Sequence, residues 1–197
     1  VYKNKEEKKP VFRVVSDFNS GPSHETEVTL NLHTGTHMDF PLHMIEDGQT
    51  SSNLELDRLI RYIKVFDLTH VKHCISKKDL VDLDINKDDF ILFKTRNSFE
   101  NKFNFKFIYI DQSAALYLNQ KEISGVGVDA LGVERDQSDH ITHKLLFQKD
   151  IYIIEGLRLK EVEQKEYFMY ALPIKMDLAD ALLLSVILVD KTDDKTC

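Results

Sequence analysis

The sequence predicts a mixed α/β or α+β layer fold built around a largely buried sheet. Short apolar runs, alternating or continuous, recur along the whole chain, whereas helical patterns are few. No internal repeat and no long Pro/Gly/Ser linker divides the 197 residues, so one domain over 1–197 is the economical reading, and a chain of this length buries a sizeable core. Residues 1–10, beginning at Val1 and containing the Lys/Glu run KNKEEKK, read as a mobile or truncated start.

Strand patterns follow near Val11–Val15, Val28–Leu32, Ile63–Leu68, Phe90–Lys94, Phe107–Ile110, Gly125–Val128, Ile151–Glu155, Tyr167–Leu172 and Leu184–Val189. The last lies in ALLLSVILV, the longest apolar run, and reads as a buried strand. Ser76 is placed to cap KKDLVDL and Asp111 to cap QSAALYLNQ, where Ala114, Leu116 and Leu118 are good helix formers. Asp139 is placed to cap a longer helix through His143, Leu145 and Leu146. Lys160–Glu166 reads as a solvated helix or loop.

Composition narrows the function classes. A net charge of −7 argues against a nucleic-acid surface, which needs excess Lys and Arg to displace counterions. No apolar stretch approaches the roughly 20 residues a spanning helix needs, so no membrane role is expected. Cys74 and Cys197 make neither a disulfide framework nor a thiolate metal site, which fits a reducing, cytoplasmic setting.

The run HTGTHMDFPLH concentrates three of the eight histidines, His33, His37 and His43, beside Asp39. Pro41 and the flanking Thr34, Gly35 and Thr36 disfavour a helix. In an extended chain His33, Gly35, His37, Asp39 and His43 share one face, because side chains alternate with period two. Four residues of straight strand cover about 13 Å, yet two nitrogens on one metal lie within about 4 Å of each other. A bend is therefore required, and Gly35 is where it fits. Imidazole plus carboxylate suits zinc, manganese or ferrous iron better than magnesium or calcium. The alternative is a solvent-exposed turn in which Asp39 accepts backbone hydrogen bonds.

Three protein ligands leave a position open for water, the catalytic pattern. Glu155 closes the apolar strand IYIIE, where a carboxylate is costly unless something positive meets it: a metal, Arg158 or a lysine. His140 and His143 are three residues apart, and spacing alone does not choose between them as a further ligand.

HTGTHMDFPLH resembles the signature of the cyclase-like metal-dependent hydrolases, the family that includes bacterial kynurenine formamidase and isatin hydrolase. The resemblance continues through GVGVDALGVE, HKLLFQKDIYIIEGL and YFMYALPIKM, and covers the chain from about Val11 to Val189. It implies a β/β/α swivelling-type domain with a mostly buried mixed sheet, assembled as a homodimer or larger homo-oligomer. It implies that His33, His37 and Asp39 hold a first metal, that Asp39 bridges to a second completed by His143 and Glu155, and that His43 is the general acid/base. His140 is then a bystander. Zinc, as one or two ions, is the implied cofactor, with manganese as the alternative. The implied substrate is a small aromatic amide, formamide or lactam, with N-formylkynurenine first and isatin-type ring opening second. A homologue that binds metal or a small ligand without turnover is the reading from another class.

The chain departs from the family pattern in three places. Nothing like the family's opening Asp–Leu–Ser/Thr–His strand precedes Val11, and DLTH at Asp67–His70 comes too late to be it. The chain has no tryptophan to cover a substrate ring, which leaves Phe12 or Phe18 as substitutes. Phe40 replaces a small residue between Asp39 and Pro41, either narrowing the pocket or filling core. At Asp129 the family's acidic residue implies a site-proximal or structural role; capping of the following turn is the alternative.

Overall fold

Runs such as FILF, GVGV and YIIE, apolar at successive positions, form strands only where both faces are covered, and that requirement shapes the fold. The structure, a computed structural model, describes residues 1–191; Cys197, and with it any pairing of the two cysteines, lies outside the described residues. Residues 1–10 are drawn into two single 3-10 turns, Tyr2–Asn4 and Glu6–Lys8, and the Tyr2 ring packs edge-on against Phe103. The strands β1 (Val11–Ser16) and β2 (Glu25–Thr29) make an antiparallel, solvent-exposed pair of their own.

The chain then runs through β3 (His37–Asp39), β4 (Ile60–Asp67), β5 (Cys74–Ile75), α1 (Lys77–Leu80), β6 (Phe90–Lys94), β7 (Tyr109–Ile110) and α2 (Gln112–Lys121). It ends with β8 (Gly125–Val128), α3 (Ile141–Phe147), β9 (Tyr152–Glu155), β10 (Glu166–Pro173) and β11 (Ala181–Asp190). Seven strands close into a mixed barrel in the order β10-β11-β3-β9-β8-β6-β4. Neighbours β4, β6, β8 and β9 run parallel, and the remaining pairs are antiparallel.

Alternation along the parallel strands divides the core in two. Ile91, Phe93, Val126 and Ile153 face outward, under Ala114, Ala115 and Leu118 of α2 and Leu146 of α3. Phe90, Leu92 and Ile154 face inward, meeting Met38, Ile63, Val65, Met169 and Leu182. The strand limits expected for β6 and β8 coincide with those observed. Ser76 and Asp79 form the capping box of α1, and the Asp111 carboxylate accepts the Ala114 N–H at the start of α2.

Three expectations need correction. Asp139 does not cap α3: its φ is +59°, it receives Lys144 Nζ instead, and the helix is one short segment starting at Ile141. ALLLSVILV is only half buried, because among the described residues no helix packs closely over the outer face of the antiparallel strand β11; Ile187 and Val189 reach solvent there. The second strand ends at Thr29, ahead of Leu30–Leu32, so that the chain can bend into the histidine segment.

Candidate metal centre

The register of β3 builds the site. His37 lies opposite Glu155 of β9 and Leu183 of β11, while Asp39 lies opposite Ile153 and Ala181. His37 and Asp39 therefore share a face, and Met38 between them enters the barrel core. Ahead of them Gly35, at φ +69°, turns the chain back, so that the His33 ring stands edge-on to His37 with Nδ1 3.0 Å from Asp39 Oδ1. Gly156, at φ +71°, follows Glu155, and a Cβ there would overlap the Gly35 carbonyl. Both positions need glycine, one for its turn and one for the close approach that brings the bend against the end of β9.

The opposite side of the site comes from α3. His143 places Nε2 3.4 Å from Asp39 Oδ2 and 3.5 Å from Glu155 Oε1. His37 Nε2 lies 3.4 Å from both Asp39 Oδ1 and Glu155 Oε2. His43 sits on the 3-10 turn Pro41–His43, its ring 3.8 Å from that of His33 and 5.8 Å from that of His143. All six residues singled out in the sequence, His33, His37, Asp39, His43, His143 and Glu155, thus converge. The shared face does not extend as far as expected: only His37 and Asp39 occupy a strand, while His33 reaches the site through the Gly35 bend and His43 through a helical turn. Arg158 is turned away from Glu155 and donates to the Glu100 carbonyl.

Four atoms at the centre, His37 Nε2, His143 Nε2 and both carboxylate oxygens of Asp39, are buried without a hydrogen-bond partner. Buried polar atoms are almost always partnered, so four orphans aimed at one another need a common occupant. Two ligands each 2.0–2.1 Å from a tetrahedral ion stand about 3.4 Å apart, which is the spacing found here. His33, His37 and Asp39 offer ligand atoms within 4.8 Å of one another, and so do Asp39, His43 and His143. Asp39 is common to these two groups, and a third, His33, His43 and Asp180, adjoins them. The donor set and its spacing fit a divalent cation.

Charge leads to the same conclusion. Burial alone would push the His37 imidazole down, but Asp39 and Glu155 outweigh it and raise the pKa to about 10. His143 is likewise held well above the ordinary value against burial, by Asp39, Glu134 and Glu155. Burial works to raise Asp39, yet the imidazoles of His143, His33 and His37 hold it well below the usual carboxylate range. The cluster demands positive charge, whether protons or a metal ion. His43 differs: burial is the largest influence, and its pKa is lowered.

The ring nitrogens facing away from the centre are engaged. His37 Nδ1 lies 3.0 Å from the Gly35 carbonyl, His143 Nδ1 2.8 Å from Glu134 Oε1, and His33 Nε2 3.1 Å from Asp180 Oδ2. A proton committed to each of these contacts leaves the inner nitrogen with a free lone pair, the form a metal needs. Glu134 and Asp180 were not singled out in the sequence. Their available signal is a carboxylate beside buried apolar residues, in ALGVE and in DLADALLL. Glu134 Oε1 also meets His140 Nδ1 at 3.0 Å, while the exposed His140 ring belongs to none of the ligand-spaced groups found.

A cavity of about 280 Å³ opens on His33, His43, His143 and Glu155, with Tyr2, Leu131 and His140 completing much of the wall. Phe12 and Phe18 do not line it; both are exposed, Phe12 on β1 and Phe18 in the turn between β1 and β2. Phe40 fills barrel core. Asp129 anchors a different turn from the one expected: its carboxylate receives the backbone N–H and hydroxyl of Thr95 and of Ser98, and Asn97 Nδ2, all in the turn after β6.

A mixed barrel whose wall carries a largely buried cluster of three imidazoles and two carboxylates, spaced for a divalent ion, defines a protein with a candidate metal centre. Residues 3–135 match the family model described as "Putative cyclase", and the chain belongs to this cyclase family. It is 32% identical to a kynurenine formamidase of Erythrobacter litoralis over 87% of this chain and 80% of that protein. A solved structure described as a potential metal-dependent hydrolase with cyclase activity is 49% identical, covers 95% of this chain and 90% of its own, and superposes with a TM-score of 0.90. Isatin hydrolase A from Labrenzia aggregata, at 17% identity, shares the fold over 93% of this chain and 84% of its own, with a TM-score of 0.79.

Proposed function

We propose that this chain is a metal-dependent amidohydrolase of arylformamidase type, cleaving the C–N bond of a small aromatic amide such as N-formylkynurenine. The observation that carries the reading is the convergence of four partnerless buried donors, on His37, His143 and Asp39, beside a cavity. The kinship with kynurenine formamidases supports the substrate class. In this reading His33, His37, Asp39, His143 and Glu155 would hold zinc as one or two ions, with manganese as the alternative.

A bound divalent ion supplies Lewis acidity, lowering the pKa of water from about 15.7 towards 7 and polarising a carbonyl. The chain's residues do the rest. The cavity orients the amide carbonyl against the cluster and limits access of bulk water. His43, with its lowered pKa, is uncharged near neutrality and takes the proton of the attacking water. As the C–O bond forms and the C–N bond breaks, His43 returns that proton to the departing amine. Val133 N–H holds Glu155 Oε1 at 2.6 Å, which keeps the carboxylate aimed inward throughout.

Assembly as a homodimer or larger oligomer, a single domain over 1–197 and a cytoplasmic setting belong to the same proposal. The large apolar side chains exposed on β1, β10 and β11 support assembly, and the low cysteine content supports a reducing compartment. The test is turnover of N-formylkynurenine and isatin by purified protein before and after chelation. Formamide cleavage that chelation abolishes and zinc or manganese restores is the expected result. Full activity in metal-free protein overturns the reading, and ring opening of isatin alone moves the substrate from formamide to lactam.

A further inference from the structure

His43 has the reach to be a metal ligand: one of its ring nitrogens lies within 4.8 Å of ligand atoms of both Asp39 and His143. Something must keep it off the metal if it is to carry protons. We infer that Asp180 does so, holding His43 against His33 and making it a free acid/base instead of a further imidazole ligand. The inference rests on the hydrolase reading above.

One carboxylate oxygen serves both rings. Asp180 Oδ2 lies 3.1 Å from His33 Nε2 and 3.7 Å from His43 Nδ1. The first is a hydrogen bond; the second is a longer polar contact, beyond hydrogen-bond range. The two rings stack at 3.8 Å with 31° between their planes, so restraint of His33 also restrains the face His43 presents. Asp180 is itself fixed by the fold. Its backbone carbonyl accepts the Phe40 N–H at 2.9 Å, and the next residue, Ala181, is the register partner of Asp39. The backbone that bears the carboxylate is thus pinned to the strand that carries the central ligand. By accepting from His33 Nε2 it commits His33 to the cluster through Nδ1, and by attracting His43 Nδ1 it draws that ring to the rim. Asp180 is a positioning residue: it touches the acid/base and a candidate ligand.

Cobalt(II)-substituted protein provides the test, because its visible absorption reports coordination number independently of turnover. In Asp180→Ala the released His43 joins the metal. The absorption weakens and shifts as coordination rises, cobalt is retained, and kcat falls about 10–100-fold with KM nearly unchanged. Asp180→Asn keeps an accepting oxygen and the residue's shape, and falls between wild type and Asp180→Ala. Asp180→Ala/His43→Ala regains the wild-type absorption but not the activity. An unchanged spectrum and kcat in Asp180→Ala overturns the inference, as does loss of cobalt from both single variants, or an altered spectrum that persists in the double variant. Wild-type protein that binds cobalt but hydrolyses neither amide nor lactam removes the hydrolase reading instead, and leaves the spectral comparison of the variants standing.

Discussion

His37 and His143 each present one nitrogen to the cluster and give the other to an oxygen acceptor, and this division of labour sets what single substitutions should do. Glu134→Gln leaves His143 in place but weakens its hold on the correct tautomer. Metal affinity should fall about 10–100-fold, as read by competition with a chelator, with the folded structure kept. His43→Ala should behave oppositely: metal content unchanged and kcat down about 10²–10⁴-fold, the ordinary share of general acid–base catalysis. Equal metal loss in both variants would mean that His43 is a ligand. The buried carboxylate of Asp129 gathers five donors from one turn and anchors it. Asp129→Ala should cost roughly 2–4 kcal/mol in denaturant unfolding, because buried donors lose a charged acceptor.

At the scale of elements, legibility followed burial. The strands β6, β8 and β9 were readable because parallel strands covered on both faces must be apolar at successive positions. The helix α2 was readable because Asp111 caps good helix formers. The three-residue strand β3 owes its existence to partners more than a hundred residues away, and no local pattern states that His37 will face Glu155 or that Ala181 will bring Asp180 to Asp39. The family resemblance supplied the pairing of His143 with Glu155; Glu134 and Asp180 stayed hidden because their partners are set by tertiary packing. The turn at Gly35 was legible from distance alone, since two ligands cannot meet across straight strand. Its complement, Gly156, was not. Gly156→Ala adds a Cβ at positive φ against the Gly35 carbonyl and should destabilise by about 1–3 kcal/mol. Because the bend carries His33, the same variant should also bind metal more weakly in equilibrium dialysis. A merely local strain would leave binding intact.

For the whole molecule, the cluster makes stability depend on metal and on pH together. Without metal, the His37 pKa stands above its ordinary value of 6.5, at about 10. A raised folded-state pKa means that the proton binds the folded chain more tightly than the unfolded one. The associated stability is fully present below about pH 6.5 and is lost as pH rises towards 10. Metal-free protein should therefore lose Tm across that window, whereas metal-loaded protein, in which the ion replaces the proton, should not. Metal should also raise Tm in proportion to the logarithm of its concentration, by about 4 kcal/mol of added stability at a thousand times Kd. Titration calorimetry in buffers of different ionisation enthalpy should detect proton release on binding near neutrality.

Elemental analysis of purified protein beside its Asp39→Asn variant tests the metal centre most directly, since Asp39 touches every imidazole of the cluster. Wild-type protein is expected to carry one or two equivalents of zinc or manganese that survive gel filtration, with the variant carrying almost none. Wild-type protein that stays empty after incubation with either metal, or a variant that binds as much as wild type, would contradict the account.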